Sequence, residues 1–356
     1  MKTDRSILVF ATQHMPTGGI ESHLMEFCLQ MSLVGVAIDL VITNSAMRPD
    51  TEELCKKLCR EVYLGKSENT LARLIWLVST GLAVSTSRYN ALYTNGQGES
   101  ILLFEKFVRH GGHWVHHHHT AGDKSDQATW GPRYFEVMKK ADSIIACSGT
   151  NARSLQETVS RSVSAIPCFS RDLGSVIKTA SNIVRLGYYG RLIPEKGIEI
   201  LCRLSEEPEL ADVEMHIWGE GEAFPESYFL QYPKVIFHGP FFGKAELIAI
   251  VSQLDAYLLI SSHPEGLPIA LLEVMSAGMP WLATNKGGVK DIACDSLSTR
   301  VIPANPGYLE IKKAVLLLIA DIKNGKLDGA SQKELYARNF SPERLVNRWS
   351  EVLDCS

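Results

Sequence analysis

Tyr257-Leu-Leu-Ile260-Ser-Ser-His263-Pro-Glu265-Gly-Leu-Pro268-Ile-Ala-Leu-Leu-Glu273 reads as a strand, a loop and a helix in succession. The apolar run at 257–260 is short and bounded by turn-forming residues, as a buried strand requires. Pro268 suits the first turn of the helix that follows, because the N–H it lacks would have no partner there. A helix beginning at the carboxyl end of a strand presents free N–H groups and a positive dipole end, which suits a phosphate or a sugar hydroxyl. Glu265 falls in the loop and Glu273 inside the helix, so the two carboxylates reach different parts of one extended ligand. Two glutamates eight positions apart are also common on solvent-exposed faces. The strand, glycine and proline around this pair favour the ligand reading.

Working outward, apolar runs alternate with amphipathic stretches. Strands are expected at 7–11, 37–43, 91–94, 114–117 and 143–147, with helices at 20–33, 52–60 and 134–141. The pattern then restarts, with strands at 184–190, 214–218, 235–238, 256–260 and 280–284 and helices at 197–204, 244–254 and 269–277. Strands separated by helix-length segments predict parallel sheets built from βαβ units. Two doubly wound α/β domains follow, with the boundary in the polar, aperiodic stretch 167–182. The ligand is expected at the carboxyl ends of the strands, in a cleft between the domains.

The chain has 356 residues, 45% hydrophobic and 21% charged, enough for two cores. A net charge of −4 gives no support to a nucleic-acid partner. The start Met1-Lys-Thr-Asp-Arg5 and the run after it read as a first strand rather than a signal peptide, because Gln13-His14 interrupts the apolar stretch. The stretch 71–84 contains Arg73 and falls short of the ~20 residues a membrane span needs, so it reads as a core helix. Eight cysteines (28, 55, 59, 147, 168, 202, 294 and 355) include no C-x-x-C pair and read as reduced thiols of a cytoplasmic protein.

Three further constellations carry chemistry. Gly187-Tyr-Tyr-Gly190-Arg191-Leu-Ile-Pro-Glu-Lys196-Gly197 sets two cations five residues apart after a glycine turn. A planar guanidinium and a compact ammonium together stabilise a diphosphate leaving group without a metal, although surface loops carry such cations too. Pro16-Thr-Gly18-Gly19-Ile-Glu21 allows close backbone approach at a helix start, yet lacks the G-x-G-x-x-G fingerprint and is equally a plain tight turn. His116-His117-His118-His119-Thr120 follows a strand, and alternation keeps the four imidazoles from serving one site. No Cys/His spacing or H-E-x-x-H partner accompanies them, so no metal is expected there. One histidine projecting into the cleft is expected instead.

These motifs resemble the GT-B retaining glycosyltransferases with an E-x7-E motif, the glycosyltransferase family 4 or group 1 type found in surface-polysaccharide and lipopolysaccharide synthesis. The resemblance runs nearly end to end and is strongest over 187–292. There Gly-Arg-Leu-x-Pro-Glu-Lys-Gly, Ile-Trp-Gly-Glu-Gly, Phe-His-Gly, Ser262-x-x-Glu-Gly-Leu-Pro, Glu273-Val-Met-Ser-Ala-Gly-x-Pro280 and Gly287-Gly288 occur in family order. It implies two Rossmann-like domains: 1–170 for the acceptor, a linker at 171–182, and 183–338 for the donor. The closing helix at about 339–356 would pack back on the first domain.

By the same resemblance, Arg191 and Lys196 grip the donor diphosphate, Glu265 contacts the transferred sugar and Glu273 the ribose. Gly190, Gly219, Gly266, Leu267 and Pro268 line the donor, with Gly18 and Gly19 closing over the phosphates. His119 best matches the family's histidine near the reacting sugar, with His117 and His118 as alternatives. The implied activity is retaining, metal-independent and cofactor-free transfer from a nucleotide-diphosphate sugar, with UDP expected before GDP. The acceptor would be a saccharide or lipid-linked saccharide, reached by a cytoplasmic protein with possible peripheral membrane contact. Leu267-Pro268 replaces the Phe-Gly of many members, and the usual Asn-Gly-Val-Asp step is absent near 166–169. The alternatives are a non-hydrolysing nucleotide-sugar epimerase and a non-catalytic GT-B binding subunit.

Overall fold

The computed structural model describes residues 5–66, 69–108, 112–295 and 297–354. The expectations for Met1–Asp4 and for Cys355 therefore lie outside the described residues. The chain divides into two compact units, 1–169 with 342–356, and 170–341.

In the first unit the strands are β1 (Ser6–Ala11), β2 (Ala37–Ile42), β3 (Glu61–Leu64), β4 (Ala91–Asn95), β5 (His113–His118), β6 (Ser143–Ala146) and β7 (Ser164–Ala165). They form a parallel sheet in the order β3-β2-β1-β4-β5-β6-β7. β1 is buried along its whole length, because it is an interior strand with helices on both faces. One face is filled by Phe27, Met31, Tyr93 and Phe169, together with Leu345 and Trp349 from the chain-terminal helix 342–352. The Trp349 ring meets Phe27 edge-on at 5.6 Å, so this last helix belongs to the first core.

The second unit repeats the plan with β8 (Val184–Tyr189), β9 (Val213–Trp218), β10 (Val235–Gly239), β11 (Ala256–Leu259), β12 (Trp281–Thr284) and β13 (Thr299–Ile302). Its parallel order is β10-β9-β8-β11-β12-β13. In both sheets the order reverses once, beside the first strand, and the loops at that point open at the strands' carboxyl ends.

Two expectations need correction. The helix Thr70–Val84 is not a core helix all round: Leu77, Thr80, Gly81 and Val84 are buried, while Leu71, Ile75 and Leu82 are 66%, 61% and 58% exposed. Pro268 is not in the first turn of helix Ile269–Ala277 but caps it, one position earlier. No helix among the described residues is long and apolar enough to cross a membrane.

Candidate functional site

In the second unit the order reverses between β8 and β11, and the two strongest motifs leave the sheet there. Gly190 follows β8 with φ 147°, a conformation that favours glycine, and its N–H donates to the Trp218 carbonyl at 3.1 Å. Gly219 leaves β9 beside it, and a Cβ there would stand 1.9 Å from the Gly190 carbonyl oxygen. Both glycines are thus demanded by backbone packing that brings the two loops together.

After Gly190 the chain makes a short turn at Pro194–Lys196, closed by Gly197 at φ 75°. The Ser262 N–H donates to the Glu195 carbonyl at 2.7 Å, which joins this turn to the loop after β11. The joint sets the Lys196 ammonium against the Glu265 carboxylate in an ion pair whose side chains are 14% and 8% exposed. Ser261 Oγ donates to Glu265 Oε1 at 2.6 Å. Burial pushes the Glu265 carboxyl up, but Lys196 and Ser261 outweigh it and hold the group below its ordinary range. The Arg191 side chain makes no hydrogen bond or ion pair among the described residues.

Glu273 sits inside helix Ile269–Ala277, almost fully buried, and accepts from Arg171 Nε at 2.6 Å. Burial pushes its carboxyl up, and Arg171 only partly opposes that. Between the glutamates, the Gly266 carbonyl accepts from Gly288 N–H at 2.8 Å, while the N–H groups of Gly266 and Leu267 make no hydrogen bond among the described residues. Those two amides and the capped helix start form an anion-directed end of the loop. Leu267 is itself buried, so it can offer only its backbone.

The first unit has its own switch point. Gly18 precedes helix Gly19–Leu33, and the Glu21 carboxylate curls back to accept from Met15 N–H at 3.1 Å, directly over the place a Gly18 Cβ would occupy. The four histidines separate two and two, as strand alternation demands. His116 and His118 reach Tyr134 at 2.7 and 2.9 Å, and His118 also reaches Asp126 at 3.1 Å. His117 and His119 face the other way, toward Cys147 and Cys168. His119 is buried, and burial lowers its pKa to about 3.

Sequence reasoning missed Arg171 and Ser261, and it missed the cysteines behind the histidines. Arg171 lies in the stretch read as a linker, yet it holds Glu273, and Leu173 N–H donates to Ser276 Oγ at 2.9 Å. No local pattern marks an arginine whose partner is 102 positions away. Nor does any short spacing join Cys147 and Cys168 to His117 and His119.

Comparison with known proteins adds to this geometry. Residues 177–332 match the family model "Glycosyl transferases group 1". The match falls inside the second unit and carries both cations and both glutamates described above. A curated GDP-mannose-dependent alpha-mannosyltransferase of Corynebacterium glutamicum is 34% identical over 178 residues, 48% of this chain and 40% of the relative. The chain spans about half the length of the curated relatives it matches. Among solved structures, Anabaena Alr3699/HepE in complex with UDP and glucose superposes with a TM-score of 0.77 at 16% identity, over 98% of this chain and 100% of that one. Sucrose-phosphate synthase of Thermosynechococcus elongatus superposes with a TM-score of 0.78 at 18% identity, over 98% of both chains. Two all-parallel α/β units with these neighbours make the fold GT-B.

Proposed function

We propose that the chain is a retaining glycosyltransferase that takes its sugar from a nucleoside-diphosphate donor held by the second unit. The observation that carries this reading is the convergence at the β8/β11 switch point. There an unpaired Arg191, a Lys196–Glu265 pair and the free Gly266 and Leu267 amides meet. The match of this same stretch to group 1 glycosyl transferases supports it.

Arg191 grips the diphosphate, and Lys196, with three hydrogens on its ammonium, keeps Glu265 while donating to a phosphate oxygen. Glu265 orients the transferred sugar through its hydroxyls. Glu273, held by Arg171, takes the ribose. An acceptor hydroxyl attacks the anomeric carbon from the face the diphosphate leaves. The C–O bond to the phosphate breaks as the new glycosidic bond forms, and the hydroxyl proton passes to a departing phosphate oxygen. Preorganised cations stabilise the charge that develops there, so no metal is needed at the diphosphate. The acceptor is a saccharide or lipid-linked saccharide of surface-polysaccharide type, met in the cytoplasm at the membrane face. Because the matched mannosyltransferase depends on GDP-mannose, GDP sugars stand beside UDP sugars as donors to be tried.

Thermal unfolding with UDP, GDP, ADP and CMP, without added magnesium or manganese, tests the reading. A nucleotide at about 100 times its dissociation constant adds ~2.7 kcal/mol if it binds only the folded chain. One nucleoside diphosphate should stabilise the protein, with the effect lost in Arg191→Ala. Proton NMR of the product with the matching sugar donor should show the donor's anomeric configuration kept. Stabilisation by none of the four, or an inverted product, overturns the proposal.

A further inference from the structure

His117 and His119 share one side of β5 and its extension, and Cys147 and Cys168 follow β6 and β7, the next two strands of the sheet. Cys147 Sγ lies 3.5 Å from His117 Nε2, 3.8 Å from His119 Nδ1 and 3.5 Å from Cys168 Sγ. Cys168 Sγ lies 3.5 Å from His119 Nδ1. The four ligand atoms are all within 4.8 Å of one another, and all four residues are buried. Zinc binds sulfur at ~2.3 Å and nitrogen at ~2.0–2.1 Å, so a regular tetrahedron has edges of about 3.8 Å between sulfurs and about 3.5 Å from sulfur to nitrogen. Four of the six spacings lie within about 0.3 Å of those edges, and the other two pairs are within 4.8 Å.

We propose that His117 Nε2, His119 Nδ1, Cys147 Sγ and Cys168 Sγ form a closed tetrahedral site for zinc. Hydrogen counting points the same way. The Cys147 sulfur has two imidazoles, the His118 carbonyl and a second thiol around it, and a thiol has one hydrogen to give. A zinc ion takes up both sulfurs and both ring nitrogens at once. Two thiolates cancel its charge, so the buried centre is neutral, and two protons leave as it forms. Four protein ligands leave no open position, which makes the metal structural rather than catalytic. It is therefore separate from the metal-free chemistry proposed for the second unit.

The surroundings suit ligands held in place. Phe169 N–H donates to His23 Nδ1 at 2.9 Å, His23 Nε2 lies 2.9 Å from Tyr93 Oη, and Tyr93 Oη lies 2.8 Å from His117 Nδ1. Because His23 Nδ1 accepts from an amide, its Nε2 holds the hydrogen and donates to Tyr93 Oη. With zinc on Nε2, His117 carries its hydrogen on Nδ1 and gives it to the remaining lone pair of that oxygen, the outer-shell contact that orients a ligating histidine. Coordination through Nδ1 leaves the His119 hydrogen on Nε2, a buried atom with no partner among the described residues, so this ring lacks the outer-shell contact that His117 has. The centre ties the chain after β5, β6 and β7 into one knot at the carboxyl edge of the first sheet.

Tag-free protein, purified without chelators and dialysed, should hold about one zinc per chain by mass spectrometry. X-ray absorption at the zinc edge should fit two sulfurs at ~2.3 Å and two nitrogens at ~2.0 Å. Cobalt replacement should bring thiolate charge-transfer bands and the intense visible bands of a tetrahedral ion. Cys147→Ser should cut zinc affinity by about tenfold or more, while Cys294→Ser, at an exposed thiol, should leave it unchanged. Zinc lost in Cys294→Ser but kept in Cys147→Ser overturns the site. So does wild-type protein that takes up no zinc and shows, by nitrogen-15 NMR, a His117 protonated on Nε2 against a Cys147–Cys168 thiol pair. Nucleotide binding enters none of these measurements, so the zinc centre and the donor site fail separately.

Discussion

Lys196 and Glu265 stand 69 positions apart and meet as a buried ion pair, the ammonium from the turn after β8 and the carboxylate from the loop after β11. Removing one partner of such a pair leaves a buried charge alone, which costs about 3–5 kcal/mol. Lys196→Ala is therefore expected to lower unfolding free energy by about that amount, and Lys196→Ala with Glu265→Gln by clearly less. Urea unfolding of the two single variants and the double variant measures the coupling. Strictly additive costs would mean the pair is a surface contact only.

Arg171 does the same for Glu273, but the balance differs because burial already holds that carboxyl above its ordinary value. In Arg171→Met the carboxyl should rise further and stay protonated in the folded chain nearer neutral pH. The folded state then binds a proton that the unfolded state has released, so stability falls as pH rises above the unfolded value near 4.5. The variant should be closest to wild type at pH 5 and furthest below it at pH 7. A gap constant between those two values would show that Arg171 does not control the carboxyl.

His14 moves stability the other way. Burial lowers its pKa from 6.5 to about 4, and neither ring nitrogen finds a side-chain partner among the described residues. The unfolded chain takes up a proton near 6.5 while the folded chain stays neutral, so stability is full above 6.5 and falls as pH drops toward 4. The loss across that window is on the order of 3 kcal/mol. His14→Gln should flatten the urea midpoint between pH 7 and pH 5; an unchanged slope would remove His14 from the account.

Gly287 closes the donor-side loop from behind. It adopts φ 51°, and a Cβ there would stand 1.7 Å from the Glu265 carbonyl oxygen. Gly287→Ala must strain its own backbone or push Glu265 away, at a cost of about 2–4 kcal/mol. Gly307 has nothing within 4 Å of its Cβ position, so Gly307→Ala meets no clash and costs only the loss of a glycine N-cap, about 1 kcal/mol. Nucleotide-induced thermal shifts should shrink in the first variant and persist in the second. Equal behaviour would mean that the Glu265 loop tolerates displacement.

The core strands were legible in the sequence because burial on both faces leaves an unbroken apolar run, as in Ile7-Leu-Val-Phe-Ala11. Of the edge strands only β10 was legible; β3, β7 and β13 were not. Glu61-Val-Tyr-Leu64 and Thr299-Arg-Val-Ile302 pair on one side only, so their composition stays mixed and the apolar signal fades. Helix Gly149–Val159 was equally hidden, since it buries little more than Asn151, Ala152 and Leu155.

The sequence by itself determined two doubly wound halves and put Arg191, Lys196, Glu265 and Glu273 in the loops and helix that leave the second sheet. Motif spacing is a local property, and a strand, a glycine turn and a helix cap need only their own residues. Only the tertiary structure decided which charge answers which. Arg171 with Glu273, Lys196 with Glu265, and two cysteines with two histidines are partners far apart in the chain. Strand order brings them together, and strand order is set by how each half packs its helices over one sheet, which no single segment encodes.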